Sequence, residues 1–177
     1  MILKYIEDKA EEILTNNNFL FAGFDIEKLV ESMGVKLIDK EFDDDISGLF
    51  FIKEGIPVIT YNSKESKKRI RFTIAHELGH YVLHSIDQKI FLDRKPQKVL
   101  YRNSVSSSGE SLKEREANSF AAALLMPKSL IDEKILRAEI DELGDLDVFI
   151  ENMASVFKVS TQAMTFRLSN LGYDILF

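Results

Sequence analysis

The stretch RFTIAHELGHYVLH, residues 71–84, carries all three histidines of the chain, His76, His80 and His84, at intervals of four. A helix turns about 100° per residue, so His76 and His80 lie one turn apart on one face, with imidazoles able to converge on a single ion. Glu77 follows the first histidine, on the adjacent face, where a carboxylate can reach a water held on that ion. This is the H-E-x-x-H arrangement of zinc hydrolases: two neutral nitrogen ligands and one general base. Phe72, Ile74, Ala75, Leu78, Tyr81, Val82 and Leu83 make the helix apolar on most sides, which suits a helix buried in a core. Ionisable groups in such a helix require partners. The pattern therefore predicts Zn2+ with His76 and His80 as ligands and Glu77 as the catalytic residue.

A catalytic zinc commonly has three protein ligands and one open position. His84 is a poor third ligand, because positions i, i+4 and i+8 span about 12 Å of helix while each ligand must lie about 2 Å from the ion. It reads instead as an outer contact or a surface histidine. Leu83, standing where the glycine would be, also excludes the H-E-x-x-H-x-x-G-x-x-H pattern. A carboxylate from another helix remains. In KEREANSFAAALLMP, residues 113–127, counting from Glu114 puts Ala117, Asn118, Ala121, Leu124 and Leu125 on its face and Glu116 on the opposite side. Glu114 is thus the expected third ligand. Asn118, one turn on, can hold the second nitrogen of a histidine. Glu116 is expected to point away from the site.

The chain has 177 residues, of which 45% are hydrophobic and 29% charged, as in an ordinary folded globular protein. There is no cysteine, which excludes disulfides and thiolate metal sites and suits a reducing compartment. The opening MILKYIEDKAEEILTNNN interleaves apolar and charged residues as an amphipathic helix does, and no stretch is apolar enough to span a bilayer. A cytoplasmic protein without membrane attachment is expected. The net charge of −6 and pI near 5.2 argue against nucleic-acid binding, which needs clustered Lys and Arg. KESKKRIR, residues 64–71, reads as a solvated loop and helix start.

Along the chain, DIEKLVESMG predicts a helix capped by Asp25 and stopped at Gly34, with a short strand at residues 35–38. ISGLFFI and IPVITYN read as two strands joined by a reversal at KEG. The polar run of residues 93–114 reads as a loop in which only KVLY has strand character. A helix beginning near Glu114 stops at Pro127, and another follows it. FIENMASVFKVSTQAMTFRLSNLGY predicts two helices around KVS, the second capped by Ser160. The expected fold is α+β: a small mixed or antiparallel sheet with the histidine helix, then a C-terminal helix-turn-helix-like segment. The expected division is residues 1–140 for the domain holding the site and 141–177 for the C-terminal helices.

RFTIAHELGHYVLH, EREANSFAAALLMP and FKVSTQAMTFRLSNLG, together with ISGLFF, resemble the ImmA/IrrE family of bacterial metallopeptidases. That resemblance implies a zincin-like fold, zinc held by His76, His80 and Glu114, and Glu77 as catalytic glutamate. It also implies a protein substrate, a helix-turn-helix repressor of the kind encoded near such enzymes on prophages or mobile elements. A substrate would lie along an edge strand, for which ISGLFFI or IPVITYN is the expected candidate. The sequence shows no evident second electrophile; Tyr81, His84 and Arg71 are the nearest in sequence. Two other readings differ in kind. One is a metal-containing sensor or anti-repressor that acts by forming a complex, against which a retained Glu77 argues. The other is a DNA-binding regulator, against which stands the single arginine and absent lysine of STQAMTFRLSN.

Overall fold

The computed structural model describes residues 2–42, 46–85, 90–94, 107–137 and 146–173. Helix α1 (Ile2–Asn16) buries Ile6, Ala10, Ile13 and Leu14, a stripe at i, i+4, i+7 and i+8, against the core. Helix α2 (Ile26–Ser32) starts where the Asp25 carboxylate accepts from the amides of Glu27 and Lys28, and the chain leaves it through Gly34 at φ +75°. Strands β1 (Lys36–Lys40), β2 (Ile46–Lys53) and β3 (Ile56–Asn62) follow. Glu54 and Gly55 both take positive φ, 53° and 81°, so β2 and β3 are closed by a two-residue turn whose twist suits a hairpin. The KEG reversal is this turn.

Strand β4 (Ile90–Arg94) completes a mixed sheet in the order β1-β3-β2-β4, with β1 parallel to β3 and the other neighbours antiparallel. Two expectations are corrected here. Residues 93 and 94, the start of the polar run expected to be a loop, belong to strand β4, and neither ISGLFFI nor IPVITYN is an edge: β2 lies between β3 and β4, and β3 between β1 and β2. Each inner strand has a strand on either side and α3 packed against it, and one sequence run cannot show how many partners it has. KVLY, residues 98–101, lies outside the described residues.

Helix α3 (Lys67–His84) carries the histidine motif and packs against β2, β3 and α4 (Ser107–Leu125). Its N-cap Ser66 accepts from the Arg69 amide. At Gly79 a Cβ would stand 3.2 Å from the Ala117 backbone and 3.1 Å from the Phe120 ring. The two helices therefore cross at the glycine of HELGH, and this close passage brings α4 within reach of the histidines. Helix α4 begins earlier than expected, in the serine-rich run, and ends before Pro127.

Helices α5 (Lys128–Arg137), α6 (Leu146–Phe157) and α7 (Thr161–Asn170) complete the chain. Phe149, Ile150, Met153, Phe157, Met164 and Leu168 of α6 and α7 belong to the same buried cluster as Ile6, Leu78 and Leu124. Arg167 of α7 is buried, donates to the Met126 carbonyl at 3.0 Å and makes a two-pronged pair with Glu7 of α1. The C-terminal helices are thus seated on the core. No helix of the described residues is long and apolar enough to cross a membrane.

Candidate metal centre

His76 and His80 are 2% and 1% exposed, and their Nε2 atoms face each other at 3.0 Å. Glu114 reaches across from α4, with Oε2 3.3 Å from Nε2 of His76 and Oε1 3.1 Å from Nε2 of His80. The three ligand atoms lie within 4.8 Å of one another. Two nitrogens at hydrogen-bond distance can share only one proton, and a carboxylate anion faces both. A divalent cation satisfies all three acceptors together, so the donor set fits a metal ion. Burial opposes ionisation of Glu114, but its hydrogen bonds to His76 and His80 outweigh that and bring its pKa down to about 2. Burial lowers the pKa of His80, keeping it neutral. An anionic carboxylate and an uncharged imidazole are the protonation states that ligation requires.

Behind each imidazole stands a second contact. Asn118 Oδ1 is 3.0 Å from Nδ1 of His76. His84, 5% exposed, has Nδ1 3.2 Å from Nδ1 of His80, and its Nε2 is 2.9 Å from Oε2 of Glu116. The expectation that Glu116 points away is therefore wrong. Its reason was a mis-centred helical count: Ala117, Phe120, Ala121 and Leu124 are fully buried, so the buried stripe of α4 is centred on them and not on Glu114. At about 100° per residue, Glu114 and Glu116 then fall on its two borders. Glutamate is long enough to reach α3 from either border.

Glu77 is fully buried, beneath β2. The strand comes this close because residue 48 is glycine: a Cβ there would lie 2.5 Å from Thr73 Cγ2, 3.0 Å from Glu77 Oε1 and 3.2 Å from the Thr60 carbonyl oxygen. The pairing of β2 with β4 shifts register between Ile46 and Gly48, a bulge of the kind that aims residues at sites. The glycine of ISGLFF thus has a role that no periodicity count registers. Gly48→Ala is expected to displace Glu77 or Thr73 and to lower any Glu77-dependent activity by about tenfold or more, since misplacement of about 1 Å can cost up to about a hundredfold. Zinc content by mass spectrometry should not change. Unaltered activity in that variant would show that the close approach has no catalytic consequence.

The other polar groups near the motif turn elsewhere. Arg71 donates to the Phe24 carbonyl and lies with its guanidinium 4.8 Å from the centre of the Phe24 ring. Burial lowers its pKa to about 10. Tyr81 packs on Phe50 with ring centres 5.5 Å apart.

The model of the IrrE N-terminal-like domain, Peptidase M78, matches residues 30–169. This chain belongs to the Peptidase M78 family. The match spans the sheet, the two helices that bring His76, His80 and Glu114 together, and most of α7. A solved structure of a Mycobacterium tuberculosis transcriptional regulator is similar over 97% of this chain, with a TM-score of 0.66 at 16% identity, a likeness of fold. The M78 chain covers 48% of that structure, about half its length. Comparison with curated proteins finds no match. Family membership and the triad together support a metallopeptidase-like function.

Proposed function

We propose that this M78 protein is a zinc-dependent endopeptidase acting in the cytoplasm on a repressor-type helix-turn-helix transcription regulator. The observation that carries the reading is the convergence of His76, His80 and Glu114 in a chain that keeps Glu77 between the two histidines. A bound zinc supplies Lewis-acid polarisation of the scissile carbonyl and acidifies the attacking water. Glu77 takes the proton of that water and delivers it to the leaving amine, a task suited to a carboxylate held in one place. An extended substrate pairs with an outer strand of the sheet, β1 or β4, main chain to main chain. The substrate class rests on the sequence resemblance, and a transcriptional regulator among the structures of this fold is compatible with it.

The outer contacts set the tautomers. With Asn118 accepting from Nδ1–H of His76, the Nε2 lone pair of that ring is left for the ion. With Glu116 accepting from Nε2–H of His84, the free Nδ1 of His84 accepts from His80, and Nε2 of His80 is likewise left bare. Replacing His84 or Glu116 with alanine is therefore expected to weaken zinc binding by about 10 to 100-fold. Glu116→Gln keeps an acceptor for His84 and should cost less. Glu114→Gln, which alters a ligand, should cost more than any of these. Chelator competition at one fixed pH measures the order, and equal losses at Glu114 and Glu116 would overturn it.

The DNA-binding reading loses its main residue. Arg167, the single arginine of α7, is buried and bound to Glu7 and Met126, so it cannot meet a phosphate. The proposal is tested by incubating zinc-loaded protein with repressor-type regulators encoded by neighbouring genes and weighing the products. A single defined cut supports it. An intact regulator in a stable complex would favour the anti-repressor reading.

A further inference from the structure

We infer that a groove of about 630 Å³ bounded by the first turns of α3, the middle of α4 and helix α7 is a peptide-binding subsite for a bulky apolar side chain with an acidic residue beside it. Phe72, Ala122, Met126, Val159, Ala163 and Phe166 give it an apolar lining. Its volume lies within the range of pockets that enclose ligands, large enough for side chains of a peptide. The groove adjoins the metal centre: Asn118 borders it and touches Nδ1 of His76 at 3.0 Å, and the Phe72 ring lies 6.4 Å from the His76 ring, centre to centre. A chain seated there is one side chain away from a metal ligand.

Charge narrows the occupant. No carboxylate is among the described residues of the groove, although the protein carries a net charge of −6. Of the three cations among its described residues, Arg69 is engaged by Glu65 and Ser47, and Arg167 by Glu7. Lys68 is exposed and has no acidic partner among the described residues. It stands one turn before Phe72, so a positive charge sits beside an apolar floor. One cation without an acidic partner among the described residues is too little for a nucleic-acid backbone, where many phosphates are met together. It suits one carboxylate of a peptide. Phe166, 62% exposed on α7, offers that peptide an aromatic edge. The helix that resembles a DNA-recognition helix is, on this geometry, one wall of a peptide groove.

That the bound peptide is a substrate rests on the peptidase reading, whereas its binding does not, and the test separates the two. Zinc-loaded Glu77→Gln protein, labelled with a fluorophore, is applied to an array of short synthetic peptides. Binding should favour Leu, Met or Phe next to Asp or Glu. Ala163→Phe, which fills the groove, should weaken it about ten to a hundredfold, the value of burying one apolar side chain, with zinc content unchanged. Phe166→Ser, at an exposed position where the fold is not at risk, should weaken the same peptides. Lys68→Glu should exchange the acidic preference for a basic one. A profile untouched by these substitutions, or no peptide binding at all, overturns the groove. Peptides that bind through it but are never cut by the unsubstituted protein leave the groove standing and remove the peptidase reading. Cleavage with preferences indifferent to Ala163→Phe and Lys68→Glu does the reverse.

Discussion

Glu77→Gln is expected to abolish regulator cleavage while leaving zinc and fold in place. The side chain is fully buried and glutamine has nearly the same shape, so packing under β2 is retained. What is lost is the ability to accept a proton, and removal of a general base commonly costs about 10² to 10⁴-fold in rate. Cleavage followed by mass spectrometry on matched zinc-loaded samples gives the comparison. A variant that cuts at the unsubstituted rate would show that Glu77 is not the base.

His80→Ala should have the largest effect on the metal. It removes one of three protein ligands and also takes away the ring against which His84 and Glu116 are arranged. Zinc stoichiometry, about one per chain in the parent protein, should fall to near zero after dialysis, and activity with it. The loss should exceed that of His84→Ala, where all three ligands remain. Full retention of zinc in His80→Ala would place the ion elsewhere.

The convergence of His76, His80 and Glu114 was legible because its rules are local. H-E-x-x-H is a statement about one turn of helix, and Glu114 followed from the buried stripe of a second helix. Asn118 was found by the same count. Glu116 was missed because the count took Glu114 as the centre of the stripe, whereas the fully buried Ala117, Phe120, Ala121 and Leu124 mark the true centre. Including Phe120 in the count would have moved it. The order of the strands was not legible: β2 and β3 read as candidate edges, and only the pairings of β2 with residues 90–94 and of β3 with β1 show that both are interior. Gly48 and Gly79 illustrate a related limit. Each is a glycine because another element passes within about 3 Å, which is a property of the tertiary contact and not of the segment that contains it. Arg71, adjacent in sequence to the motif, turns instead to Phe24 because the helix presents it to the loop after α1.

The most direct test of the account is the position of the metal. Crystals of zinc-loaded protein, measured with anomalous scattering at the zinc absorption edge, should show one zinc about 2.0 to 2.2 Å from Nε2 of His76, Nε2 of His80 and a carboxylate oxygen of Glu114, with a further position open beside Glu77. Zinc bound without Glu114, or held at some other cluster while His76 and His80 stay unligated, would contradict the account.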